Sequence, residues 1–136
     1  MQLQMPRTRP KFELKPAKAA GTAGAEPAPV DRAHLARYTL GDAALEREIL
    51  ELFLGHLPNT IRDLGLAETE RDWHMAAHAL KGSARAVGAW RLAREAEAAE
   101  KLAGPADRAA ADAAIARIAE ASVEVSSHIA GLVAGC

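Results

Sequence analysis

The chain has 136 residues, 49% hydrophobic and 26% charged, enough apolar material for one packed core and too little length for two comfortable domains. Aromatic residues make up only 4%, so the core must come from aliphatic side chains and Ala, which suits helices packed on helices. A lone cysteine, Cys136, excludes an intrachain disulfide and a thiolate zinc site, and no apolar run approaches the ~18 residues of a membrane span or forms a secretory signal. These absences describe a soluble, cytoplasmic protein that does not engage a membrane.

Net charge is −1 but unevenly spread, with five Lys/Arg against two Asp/Glu in residues 1–28 and twelve against sixteen in residues 29–136. An acidic folded part without a dense basic face argues against nucleic acid as a partner. Residues 1–28 mix Pro6, Pro10, Pro16 and Pro27 with Gly21, Gly24 and small residues, and are expected to form a flexible basic leader before a domain at 29–136.

Asp31 is placed to cap a short first helix through Arg37, and Asp42 a second. The second carries Leu45, Ile49, Leu52, Phe53, His56, Ile61 and Leu64 at helical spacing, with Pro58 expected to bend it without ending it. A third helix is expected from about Glu70 to Val87, stopped by Gly88, and a fourth from Trp90 to about Leu102, closed by Gly104-Pro105. Asp107 then opens a fifth, whose stripe is Ile115, Ile118, Ser122, Val125, Ile129 and Leu132. The fold class is all-α: an antiparallel four-helix bundle with a short additional N-terminal helix.

On the third helix Trp73, Ala77, Leu80, Ala84 and Val87 make one stripe facing the core, and His78 lies about 160° from Leu80 on the wheel, so it points outward. Arg71, His74, Lys81, Gly82 and Arg85 fall beside it, a cationic strip with a hole at Gly82. An exposed imidazole has an unperturbed pKa near ~6.5 and offers a nucleophilic nitrogen near neutral pH. Lys81 is one turn away, suited to phosphate oxygens, and Arg85 adds longer-range attraction. Gly in a helix interior costs about 1 kcal/mol relative to Ala, so Gly82 needs a reason, and close approach of another backbone to the imidazole supplies one. Ser83 is placed either to back-bond to the carbonyl of Ala79 or to serve as a tolerated small polar residue.

The run His78-Ala79-Leu80-Lys81-Gly82-Ser83, followed by Gly88-Ala89-Trp90-Arg91-Leu92, resembles the signature of the histidine-containing phosphotransfer (HPt) domain. Phe53, Leu57-Pro58, Leu64 and Glu97 are similar to that family too, so the likeness covers about residues 45–103. The resemblance implies that His78 takes a phosphoryl group from a receiver-domain aspartate and passes it to another, with Lys81 steadying it and Gly82 clearing the docking surface. It implies response-regulator receivers and a hybrid histidine kinase as partners, with the Mg²⁺ on the receiver, so this chain needs no cofactor of its own. Where some family members carry Gln on the fourth helix, this chain has Glu100, which either turns to Lys101 and solvent or orients the His78 ring.

His74 and His78 also stand at i, i+4, a metal-ligand spacing, but Met75 replaces the Glu of a zinc protease and no third ligand falls in register. A structural adaptor that binds a receiver without accepting phosphate is the reading from another class. No glycine-rich nucleotide loop is evident, so the chain is not expected to bind ATP as a kinase does. Four amphipathic helices in one chain lead to the expectation of a monomer. His34, His56 and His128 receive no functional role, with His56 expected in or at the edge of the core; Trp73 and Trp90 are expected to anchor packing at helix ends.

Overall fold

The structure, a computed structural model, describes residues 28–134, so the basic leader, apart from Ala28, and Cys136 lie outside the described residues. Five helices follow one another: α1 Arg32–Thr39, α2 Ala43–Leu66, α3 Glu70–Val87, α4 Trp90–Glu100 and α5 Arg108–Ala134, with no strand among the described residues. The class is all-α. Helix α3 packs on α2 and α4, α5 closes on both α4 and α2, and α1 lies against α2 and α3.

Local chemistry sets the helix ends. Asp31 caps α1 by accepting from His34 N, Asp42 caps α2 through Ala44 N and Leu45 N, and Thr69 caps α3 through Asp72 N. Asp107 accepts from Ala110 N at the start of α5. Pro58 sits inside α2 at an exposed position, and the helix runs on through it. Gly88 ends α3 at φ 78°, a left-handed position that favours glycine. A Cβ there would also stand 2.8 Å from Asp31 O, while Asp31 N donates to Gly88 O at 2.9 Å. That close approach ties the start of α1 to the α3–α4 corner.

The core stripe of α3 is as its periodicity reads: Trp73, Ala77, Leu80, Ala84 and Val87 are all buried. Small residues line the core on other helices as well, with Ala93, Ala96 and Ala99 on α4 and Ala111, Ala114 and Ala121 on α5 buried, which lets the axes of the packed pairs α3–α4 and α4–α5 approach closely. On α5 the buried positions include Ile118, Ser122, Val125 and Ile129, with Ile115 and Leu132 partly buried.

Helix α2 corrects its sequence reading. The buried residues are Leu50, Phe53, Leu57 and Leu64, whereas Leu45, Leu52 and His56 are exposed. Apolar residues at 49, 50, 52, 53, 54 and 57 support two phases of one helical wheel, and packing against α3 and α5 selects the one through Leu50 and Leu57. Helix α4 is also shorter than expected, ending at Glu100 with Leu102 in the turn beyond.

Candidate functional site

Trp73 and His74, adjacent on α3, turn to the C-terminal end of α4. Trp73 Nε1 donates to Ala99 O at 2.8 Å, and His74 Nε2 lies 2.9 Å from Leu102 O, so that nitrogen carries the proton. The last carbonyls of a helix have no partner within it, and α4 ends without glycine or a basic residue in its last turn. Backbone N–H groups of Lys101 and Leu102 meet carbonyls of the last turn, and the two side chains add a second donor at Ala99 O and one at Leu102 O in the turn beyond, fixing α4 against α3. His74 is therefore half-buried and committed to a backbone carbonyl, a correction to its expected place in an open cationic strip.

His78 projects from the outward face with its side chain 70% exposed. Its Nδ1 lies 2.8 Å from Glu100 Oε2, and the other oxygen of the same carboxylate accepts from Lys81 Nζ at 2.7 Å. Lys81 and Glu100 are 15% and 25% exposed, so the cation stem and the carboxylate are packed down while the imidazole stands clear. The hydrogen bond from Lys81, and then that from His78, holds the Glu100 carboxyl below its ordinary value of 4.5. Glu100 is thus an anion at neutral pH and can only accept, which puts a proton on Nδ1; in the neutral imidazole Nε2 then keeps its lone pair. Of the two orientations left open for Glu100, it takes the one toward His78.

Glu100 is the last residue of α4, where the helix dipole disfavours a carboxylate. Its local setting does not explain it; Lys81 and His78 do.

The remaining sequence candidates separate. Ser83 Oγ donates to Leu80 O at 3.2 Å, one residue nearer than the expected Ala79 carbonyl. Arg85 reaches Glu97 on α4 at 3.4 Å, so it forms part of the α3–α4 seam. Gly82 lies on the open surface, and a Cβ built there meets nothing within 4 Å. His74 and His78, the i, i+4 pair, turn to different acceptors, and among the described residues no group of three or more His, Cys, Asp or Glu is arranged to hold a metal ion.

Sequence reasoning passed over one line on α3. Met75, Ala79, Gly82 and Ala86 recur at steps of four, three and four, all exposed, forming an uncharged row on the side of His78 away from α4. Its signal in the sequence is the periodicity itself, interrupted to the eye by the charged Lys81 and Arg85 that lie between.

The model of the Hpt domain family matches residues 48–130, more than half of the chain, and the chain belongs to that family. The match runs on through most of α5, past the residue 103 at which the motif resemblance stopped. Hpt domains are the histidine phosphotransfer domains of phosphorelays, where they exchange phosphate with receiver domains and kinases. Comparison with curated proteins and with solved structures gave no match. No helix among the described residues is long and apolar enough to cross a membrane.

Proposed function

We propose that this chain is a cytoplasmic phosphorelay carrier in which His78 accepts a phosphoryl group from the aspartyl phosphate of one receiver domain and yields it to the aspartate of another. The observation that carries the reading is the pairing of exposed His78 with Glu100, which leaves Nε2 as the free nucleophile. As Nε2 attacks phosphorus in line, the P–O bond to the aspartate breaks and the P–N bond forms through a loose, metaphosphate-like transition state. The proton stays on Nδ1 throughout. The ring becomes positively charged, and the Glu100 carboxylate balances that charge at hydrogen-bond distance. Return of the phosphoryl group to an aspartate reverses each step.

Lys81 holds Glu100 in the unphosphorylated protein and is within one turn of the incoming phosphoryl oxygens. Gly82 keeps the approach to the ring open, Ser83 closes its own turn, and Arg85 and His74 brace α4. Helices α2 to α5 form an antiparallel four-helix bundle that supplies the positions, and the chain acts as a monomer without a cofactor of its own, the Mg²⁺ belonging to the receiver.

The test is label transfer from phosphorylated receivers. The unmodified protein takes label that is acid-labile and alkali-stable, as a phosphoramidate is, and His78→Gln takes none while keeping its helical content. Label that persists in His78→Gln refutes the assignment. Binding of a receiver without any transfer to His78 would favour the adaptor reading.

A further inference from the structure

Two side chains of α3 bracket the carboxylate that pairs with His78. Trp73 Nε1 holds Ala99 O at 2.8 Å and His74 Nε2 holds Leu102 O at 2.9 Å, so Glu100 lies between two anchored residues. Its own turn is held less tightly from within: Lys101 N shares its hydrogen between Glu97 O and Ala98 O at 3.3 Å each, and Leu102 N reaches Ala99 O at 3.1 Å. The turn beyond packs on the start of α3, where a Cβ added at Gly104 would stand 3.2 Å from Glu70 Cα. The end of α4 is therefore placed from α3 as much as from within α4.

That placement matters because two groups share the Glu100 carboxylate. Oε1 meets Lys81 Nζ at 2.7 Å and Oε2 meets His78 Nδ1 at 2.8 Å. Lys81 ends a long flexible stem and the imidazole a short one, so if the backbone at Glu100 drifts, Lys81 follows the carboxylate and the bond to His78 is the one lost. Of the two anchors, Trp73 is fully buried and packing alone accounts for it. His74 lies outside the buried stripe of α3, at a place where a better helix former would serve the helix as well.

We propose that His74 is a positioning residue for phosphoryl transfer, a role that rests on the relay reading above: by holding Leu102 O it keeps Glu100 on Nδ1 of His78, so that Nε2 is the nitrogen that attacks. It acts through Glu100 and is not itself a catalytic residue. The two histidines, one turn apart on α3, then carry opposite tautomers when neutral, His74 with its proton on Nε2 and His78 with its proton on Nδ1.

Nitrogen NMR of the unmodified protein in mildly alkaline solution reads the two tautomers directly, and a proton on Nδ1 of His74 overturns the role with no substitution made. His74→Leu removes the donor and His74→Gln keeps one at comparable reach, and both leave the buried stripe of α3 intact. Each is labelled from a phosphorylated receiver and from phosphoramidate, a small phosphodonor that needs no docking surface. In His74→Leu, His78 is expected to show both tautomers and both labelling rates to fall by roughly three- to ten-fold, the span of a modest coupling between neighbouring residues. His74→Gln restores the greater part of both. The same change is then made in Glu100→Ala, where no carboxylate is left to position, and there His74→Leu should slow labelling no further. Equal slowing with and without Glu100 assigns His74 to the general rigidity of the bundle and overturns the proposal. Unmodified rates with a single His78 tautomer in His74→Leu overturn it too, and leave the relay intact. An unmodified protein that neither donor labels removes the relay reading and this role with it.

Discussion

Nδ1 of His78 on α3 lies 2.8 Å from Oε2 of Glu100 on α4, and the two residues are 22 apart in sequence. The carboxylate fixes both the ring orientation and the tautomer, so one helix presents the nucleophile and its neighbour decides which nitrogen reacts. Glu100→Gln keeps an acceptor for Nδ1–H but removes the charge that balances the phosphorylated ring; transfer to His78 is expected to slow by about ten-fold, the range of one charged hydrogen bond. Glu100→Ala removes the acceptor as well and should be slower still, with nitrogen NMR showing both tautomers of His78 where the unmodified protein shows Nδ1–H alone. Unchanged rates and one tautomer in Glu100→Ala would remove Glu100 from the mechanism.

The same carboxylate predicts a pH dependence of stability. Its folded value is lowered, first by the hydrogen bond from Lys81 and then by that from His78, so the charged form is the one that folding favours. The stabilisation is fully present above the ordinary value of 4.5 and is lost as pH falls through the lower folded value. Denaturant titrations of the unmodified protein and Glu100→Gln should differ by a constant amount above pH 5 and converge as the solution is made more acid, the order expected for a depressed carboxyl. A difference that grows on acidification would contradict the pairing.

Much of this was legible in the sequence, for identifiable reasons. Helix α3 was legible because Gly88 stops an unambiguous stripe, and that stripe alone turned His78 outward; the cap at Thr69 was not read. The phase of α2 was not, since its crowded apolar residues satisfy two faces and only contact with α3 and α5 chooses between them. His74 shows the same limit at the site: its wheel position lies beside His78, yet the unpaired carbonyl at Leu102 draws its ring inward. No pattern local to α3 contains the end of α4. The role of Glu100 likewise depends on how α3 and α4 dock.

Gly88 is the position where the fold is most exposed to a single added carbon. At φ 78° a side chain is disfavoured by about 1 kcal/mol, and a Cβ 2.8 Å from Asp31 O and 2.9 Å from Asp31 Cβ cannot be relieved by moving a flexible tip. Asp31 also accepts from Trp90 Nε1 at 2.9 Å, so displacement there unseats α1 and the indole together. Gly88→Ala is expected to cost at least about 2 kcal/mol, strain plus clash, read as a lowered denaturation midpoint with altered Trp fluorescence. Gly41, at φ 81° with open space around it, should show the strain cost without the clash, so Gly41→Ala is the control that separates the two.

Gly82 is the opposite case, and the contrast between fold and function is sharpest there. It sits in the interior of α3 with open space where a Cβ would be, so Gly82→Ala should stabilise the helix by up to about 1 kcal/mol and raise the melting temperature. Nothing within the chain objects to a larger residue either. Gly82→Gln should therefore fold at least as well as the unmodified protein, and its far-ultraviolet circular dichroism should be unchanged. Its side chain, however, would rise one turn from the His78 ring on the uncharged row shared with Met75 and Ala79. A receiver aspartate has to come within bonding distance of phosphorus on Nε2, and a Gln at that place holds the two backbones apart. Transfer from a phosphorylated receiver should fall while labelling by phosphoramidate, which fits beside the side chain, stays near the unmodified rate. A melting temperature that rises as receiver transfer falls would mean that the glycine is kept for the partner at the expense of the helix. If Gly82→Gln accepts phosphate from its receiver as fast as the unmodified protein, close approach at this position is not what the glycine provides.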